Sequence, residues 1–197
     1  VKKGEILGIV GENGAGKSTL MKVLSGSYTN KEYEGEIWVN GEKQSFGSVS
    51  DAKKVGIEMV YQEVNAMYEA SVAENIFVGN LPGKGWVDYK KLYKDTQDLL
   101  DQLGLQISPK TPAGALNSGQ LQLMSIVRAM AAHPKIMVLD EPSTALTDSE
   151  VDILMNFLEN LRKSGVSCIY ISHKLEEIFR ICDRVTIIRD GNVITSG

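Results

Sequence analysis

Nine consecutive residues, Gly11-Glu12-Asn13-Gly14-Ala15-Gly16-Lys17-Ser18-Thr19, carry the spacing G-x-x-x-x-G-K-S, a loop whose backbone wraps a phosphate group. A side chain at the glycine positions would hold the backbone away from the phosphates. Without one, the loop amides point inward, and a helix starting there adds the positive end of its dipole. Lys17 then reaches the outer phosphates, and the Ser18 hydroxyl offers an oxygen to magnesium. A second constellation lies far downstream. Asp140-Glu141 follows four apolar residues, Ile136 to Leu139. An aspartate ending a parallel strand stands on the sheet edge where ligands bind, and it can hold magnesium through water. Glu141 is one residue further on, so its side chain points elsewhere, where a carboxylate can orient and deprotonate an attacking water. Two acids at a strand end would by themselves read as solvated; downstream of a phosphate loop they read as its chemical partner.

Three further elements complete the chemistry. His173 follows the apolar run Cys168 to Ile171 and Ser172, another strand end, and places a nitrogen donor where γ-phosphate charge develops. Gln62 closes a shorter apolar run; its neutral amide can complete a magnesium shell or touch the attacking water. Leu116-Asn117-Ser118-Gly119-Gln120 opens a helix, and its amides form a second anion site. One phosphate loop already serves one nucleotide, so a second anion site fits a nucleotide held by another molecule. The remaining histidine, His133, precedes Pro134 in a loop and has no assigned role.

These residues need elements to position them. Ile6 to Val10 is a short apolar run that predicts a buried parallel strand, and Lys17 to Leu24 predicts a helix, so strand, loop and helix follow in the required order. Gly35 to Gly41 alternates and ends in Asn-Gly, a hairpin signal. Ile57 to Tyr61 predicts a strand. From about residue 71 to 130 the pattern turns helical: Ser71 caps a helix through Asn75, and Asp88 opens a longer one that Gly104 stops. That longer helix carries Leu92, Leu99, Leu100 and Leu103 on one side. Pro109 and Pro112 mark a loop, and Gly119 begins a third helix. Ile136 to Asp140 returns to strand. Thr147-Asp148-Ser149-Glu150 is a capping box for a helix carrying Val151, Leu154, Leu158 and Leu161. Ser167 to Ile171 is another strand, and Asp190-Gly191 joins Arg184–Arg189 to Asn192–Thr195 as a hairpin. The expected fold is an α/β phosphate-loop core with a mainly parallel sheet, an inserted helical subdomain and a small antiparallel β portion. Its expected segments are 1–70, the core from the phosphate loop to Gln62; 71–130, the helical subdomain; and 131–197, the core from Asp140 to the terminal hairpin.

Composition narrows the function. A chain of 197 residues with 43% apolar and 23% charged residues is an ordinary globular composition. A net charge of −4 argues against a nucleic-acid partner, which would select a basic surface. Two cysteines, Cys168 and Cys182, form neither a zinc motif nor a disulfide framework and suit a reducing compartment. No apolar run in these residues approaches the length that spans a bilayer, and none reads as a signal peptide, so neither a membrane span nor a leader is expected from them. Val1 lies five residues ahead of the first strand and Gly197 directly after the last hairpin, which leads us to expect a piece of a longer protein.

The order of motifs resembles the nucleotide-binding domain of ATP-binding cassette (ABC) proteins over nearly the whole chain. In that family two domains sandwich two ATP molecules, each phosphate loop facing the signature helix of the other. The resemblance implies that Gly11 to Thr19 is the Walker A loop and Gln62 the Q-loop. Asn117, Ser118, Gly119 and Gln120 are the signature, Asp140 and Glu141 the Walker B pair, Thr144 to Thr147 the D-loop and His173 the switch histidine. Catalysis is then expected from Glu141, His173, Gln62 and Lys17, and magnesium binding from Ser18, Gln62 and Asp140. Finer wording, Tyr-Glu-Gly-Glu-Ile, Ser-Val-Ala-Glu-Asn-Ile-Phe-Val-Gly-Asn, Glu-Pro-Ser-Thr-Ala-Leu-Thr and Ile-Ser-His-Lys-Leu, resembles the first half of bacterial importers for xylose, galactose or ribose. That implies ATP and Mg2+ as ligands, a second cassette and membrane permease subunits as partners, a periplasmic sugar-binding protein indirectly, and a peripheral place on the cytoplasmic side of the bacterial membrane. The alternatives are an ABC ATPase without a transport role and a regulatory cassette that closes on ATP without efficient turnover. Departures from the family pattern are Asn117 for the signature serine and Thr147 for the D-loop aspartate. The adenine-stacking aromatic of the family lies further upstream than this chain reaches, so base recognition by these residues alone is expected to be weak.

Overall fold

The computed structural model describes residues 1–196; Gly197, the end of the third expected segment, lies outside the described residues. The chain divides into two compact units, 1–60 with 134–141 and 160–197, and 61–133 with 142–159.

The first unit is built on a six-stranded sheet. In chain order its strands are β1 (Ile6–Val10), β4 (Ile57–Val60), β5 (Ile136–Asp140), β6 (Ser167–Ile171), β7 (Arg184–Arg189) and β8 (Asn192–Ser196). They lie side by side as β4-β5-β6-β1-β7-β8, and all neighbours are parallel except the β7–β8 hairpin. A separate two-stranded sheet pairs β2 (Ile37–Val39) with β3 (Glu42–Gln44). Strands buried on both faces are largely apolar, and all five residues of β6 are buried. The two hairpin turns fall at Asn40-Gly41 and Asp190-Gly191, where both residues of each pair have positive φ, as the two-residue mirror-image turn demands.

Helix α1 (Lys17–Leu24) follows β1, and α7 (Leu175–Ile181) follows β6. A short helix, α2 (Val49–Lys54), has no counterpart in the sequence reading. It is six residues long and buries only Ala52, so it carries no apolar stripe to read.

The second unit is helical. Its members are α3 (Val72–Ile76), α4 (Tyr89–Leu103), α5 (Ser118–Ala131) and α6 (Asp148–Lys163), the last counted with this unit as far as Glu159. Ser71 caps α3 in a reciprocal box with Glu74, and Asp88 caps α4, which ends at the left-handed Gly104. The core joins Val72, Ala73 and Ile76 of α3, Leu92, Leu100 and Leu103 of α4, and Leu123, Met124 and Val127 of α5. Helix α5 starts one residue before the expected Gly119, because Asn117 supplies its cap.

Candidate functional site

The phosphate loop follows from the central strand. Its helix is entered through Gly16, left-handed at φ 101°, and Gly14 is also at positive φ, 84°. Only glycine takes these values without strain. Gly11 is demanded by closeness instead: a β-carbon there would come within 2.3 Å of the Ile188 carbonyl oxygen. Lys17 is 7% exposed, and its ammonium donates to the Gly11 and Glu12 carbonyl oxygens at 2.7 and 3.0 Å. The lysine is therefore folded into its own loop, its charge satisfied by backbone. Ser18 and Thr19 are exposed at the helix start.

Sheet register explains which residues meet. Strand β6 lies between β5 and β1, with Ile171 opposite both Asp140 and Ile9. All three strands are parallel, so the residues after Val10, Asp140 and Ile171 leave the sheet at one edge, the edge where open α/β sheets bind ligands. Glu141 and His173 meet there, with Nδ1 of His173 3.3 Å from Oε1 of Glu141. The Glu141 carboxylate is largely buried, whereas the imidazole is more than half exposed. Glu141 also has φ 46°. A non-glycine residue in that region is uncommon and costs of order 1–3 kcal/mol, so its backbone is held in place by its surroundings. The Glu141 N–H donates to the Ile171 carbonyl at 3.0 Å, extending the ladder one residue past the strand.

Asp140 is half-buried, and its carboxyl is held above the usual carboxylate range. Burial is the main cause, the neighbouring Glu141 charge adds to it, and Lys17 opposes it. The site thus keeps two acids and one buried cation within electrostatic reach, an arrangement that favours any additional positive charge.

Sequence reasoning missed Glu177, on the first turn of α7. Its buried Oε2 accepts from the Tyr170 hydroxyl at 2.7 Å and the Ser172 hydroxyl at 3.1 Å, while Oε1 pairs with Lys174 at 3.2 Å. The Lys174 N–H in turn donates to Ser172 Oγ at 3.0 Å. Both residues flanking His173 are therefore tied to one buried carboxylate. A glutamate four residues beyond the histidine, in the first turn of a helix, is the signal that could have found it.

Gln62 is exposed, two residues beyond β4, and belongs to the second unit. The other predicted residues of that unit cluster at the start of α5. Asn117 accepts from the Gln120 N–H through Oδ1 at 2.7 Å, and Gln120 Oε1 accepts from the Asn117 N–H at 3.1 Å. Asparagine therefore serves as the helix cap that serine would be, using its oxygen and keeping its amide hydrogens for another acceptor. His133 has φ 51°, and its N–H donates to the Met130 carbonyl, so it ends α5 without joining the site. A cavity of about 740 Å3 in the first unit lies elsewhere, lined by Leu7, Ile9, Ile37, Val39, Ile136 and Val138 among others, and takes in neither Lys17 nor Glu141.

Residues 1–144 match the family model described as ABC transporter. The chain is 50% identical over 194 residues to the xylose import ATP-binding protein of Moorella thermoacetica, covering 98% of this chain and 38% of that protein. It is 45% identical over 194 residues to a galactose/methyl galactoside import ATP-binding protein of Photobacterium profundum, covering 97% and 39%. It is 44% identical over 199 residues to the ribose import ATP-binding protein of Shouchella clausii, covering 100% and 40%. The chain thus spans about two fifths of the length of these curated relatives. Among solved structures, a nucleotide-free ATP-binding cassette from an ABC transporter superposes with a TM-score of 0.87 at 26% identity, covering 100% of this chain and 81% of the other. An ADP-bound cassette superposes at 0.85 with 26% identity, covering 99% and 80%.

Proposed function

The chain belongs to the ABC transporter family, and from that premise we propose that it is the ATP-binding and ATP-hydrolysing part of an importer that takes up a monosaccharide. The single observation that carries the catalytic half of this reading is the Glu141–His173 approach of 3.3 Å beside the phosphate loop. The sugar half is supported by relatives named for xylose, galactose and ribose import.

In this reading the backbone of Gly11 to Thr19 cradles the phosphates and the Lys17 ammonium leaves the loop carbonyls for the outer phosphate oxygens. Glu141 takes the proton of the attacking water, and its buried, strained position keeps it oriented. His173 donates to the γ-phosphate as charge builds, fixed by the Glu177 bonds to Ser172 and Lys174 on either side of it. Gln62 touches the water or the metal shell. Asn117, Ser118, Gly119 and Gln120 face the nucleotide of a second cassette.

Magnesium fits the residues present. Ser18, Asp140 and Gln62 are hard oxygen donors, and the charge that burial penalises at Asp140 is relieved by a cation. Among the described residues no three His, Cys, Asp or Glu side chains gather to hold a metal by themselves. When bound, it would neutralise phosphate charge and template the in-line displacement.

The three segments 1–70, 71–130 and 131–197 then act as core, helical arm and core. The helical arm contacts the membrane permease near Gln62, supported by a groove of about 360 Å3 that Asn75, Val78 and Arg128 of the arm line together with Val64, Met67 and Tyr68 at the end of the first segment. No helix among the described residues is long and apolar enough to cross a membrane. The chain would sit on the cytoplasmic face and reach the periplasmic sugar-binding protein only through the permease. Reconstitution tests this. Vesicles carrying the native protein with its co-purifying permease should take up a labelled monosaccharide when ATP is inside and the sugar-binding protein is outside. Purification with nucleic acid instead of a permease would sink the transport reading.

A further inference from the structure

Gly119 sits in the first turn of α5, in ordinary helical conformation and buried. Glycine has a lower helix propensity than alanine, and no positive φ demands it. A neighbour occupies the space its side chain would fill. A β-carbon at Gly119 would lie 2.4 Å from Oε2 of Glu150 and 2.8 Å from its Cδ and Oε1. The Glu150 carboxylate therefore rests directly on the backbone of the signature helix.

That carboxylate is held from the other side. The Thr147 N–H and the Thr147 hydroxyl both donate to Glu150 Oε2 at 2.9 Å, and the Glu150 N–H returns a longer bond to Thr147 Oγ1 at 3.4 Å. These bonds cap α6, and they also fix where the acid points. Its negative charge faces the first turn of α5, the end of a 14-residue helix that favours an anion. Thr147 is the position where the resemblance expects a D-loop aspartate. One carboxylate thus touches both the D-loop position and the signature, and all three residues belong to one compact unit.

We propose that Glu150 is a positioning residue that locks the D-loop position Thr147 to the signature at Gly119, so that the phosphate-facing amides of the signature move together with the D-loop. The role of the signature rests on the reading above; the contact itself does not. Replacing the family's aspartate by threonine then has a physical rationale. The threonine hydroxyl donates to Glu150, whereas an ionised aspartate side chain has no proton to donate and adds like charge, leaving only the backbone N–H bond.

The test is a double-mutant cycle in the native protein, with Gly119→Ala, Glu150→Ala, Glu150→Gln and the Gly119→Ala/Glu150→Ala pair. Two readouts are taken: the urea midpoint without nucleotide, and kcat against KM for ATP. Gly119→Ala should lower both the midpoint and kcat, because the new methyl displaces the carboxylate. Glu150→Ala should restore much of that loss, giving a coupling of about tenfold or more, the size expected of groups in direct contact. Alone, Glu150→Ala should lower kcat at least about fivefold, within the range of positioning effects, while KM stays within about twofold because the phosphate loop is untouched. Glu150→Gln keeps an acceptor for the Thr147 hydroxyl and should retain most of kcat. Additive effects in both readouts would overturn the proposal, since Gly119 would then be required for a reason other than Glu150. So would a KM rise equal to the kcat loss. If no form hydrolyses ATP, the functional reading fails, and suppression in the urea midpoint still decides the contact.

Discussion

Glu141 combines three properties that rarely meet by accident: a left-handed backbone at φ 46°, a largely buried carboxylate and a histidine 3.3 Å away. A base that must take a proton at one point in space benefits from being held there. Glu141→Gln keeps size and acceptor oxygen but removes the base. Steady hydrolysis should fall at least about a hundredfold, the lower end of what such a base contributes, with ATP affinity by titration calorimetry nearly unchanged. Unchanged turnover would remove Glu141 from the mechanism. Lys17→Ala acts on another step. Losing a charge-assisted contact to phosphate costs about 1.5–3 kcal/mol, roughly ten- to a hundredfold in affinity. A change of less than twofold in affinity would refute the reading of Lys17. Two thiols supply a third prediction. Burial pushes both Cys168 and Cys182 up to about 12. The unfolded chain ionises its thiols from about pH 8.5, and the folded chain does not. Above that pH the unfolded state binds fewer protons, so stability should be intact at pH 7 and fall progressively from about pH 9 toward pH 12. Cys168→Ala with Cys182→Ala should flatten that decline in urea titrations at rising pH.

At the scale of elements, capping decides where helices of the second unit begin. Ser71, Asp88, Asn117 and Thr147 each accept from an N–H in the turn they open. Asn75 has a different task. It is fully buried on α3, yet its side chain accepts from the Met67 N–H at 2.8 Å and donates to the Met67 carbonyl at 2.9 Å and the Ser71 carbonyl at 3.0 Å. Arg128 of α5 adds a bond to Asn75 Oδ1 at 3.3 Å and one to the Asn65 carbonyl at 2.9 Å. A loop that has no strand to pair with is thereby pinned by two side chains, and it carries the exposed Met67 and Tyr68 of the proposed permease groove. Asn75→Ala leaves the Met67 N–H without that acceptor and should cost about 2–4 kcal/mol of stability in urea unfolding. Hydrogen exchange at Met67 should accelerate well beyond that at β6. Equal protection in mutant and wild type would show that the loop is held by something else.

At the scale of the whole molecule, these 197 residues carry one phosphate loop and one signature. If each signature serves the nucleotide of another cassette, hydrolysis by a single-cassette preparation should rise with the square of protein concentration at low concentration, and Glu141→Gln with ATP should sediment as a dimer. The ADP-loaded protein should sediment as a monomer. Activity strictly proportional to protein concentration from the lowest dilutions would argue for a single-cassette site and against the sandwich.

Much of this was already legible in the order of residues, because the decisive features are local. The phosphate loop needs two glycines at positive φ and a lysine at fixed spacing, and a run of nine residues states all of it. The strands β1, β5 and β6 announce themselves as apolar runs, β1 and β6 followed by Gly11 and Ser172 and β5 closing on Asp140, and the Asn-Gly and Asp-Gly turns encode their own backbone. The family followed from the order of the motifs. What the linear order could not state is distance between residues far apart in it. Glu141 and His173 meet because β6 is placed between β5 and β1 with Ile171 opposite Asp140, and sheet order is a property of the whole fold. Glu177 left only a weak signal, its place in the first turn of α7, and its three partners converge on it only when α7 packs back on β6. Gly119 looked like a signature glycine serving phosphate alone. Only tertiary packing, which brings the cap of α6 onto the first turn of α5, sets a carboxylate where its side chain would have been.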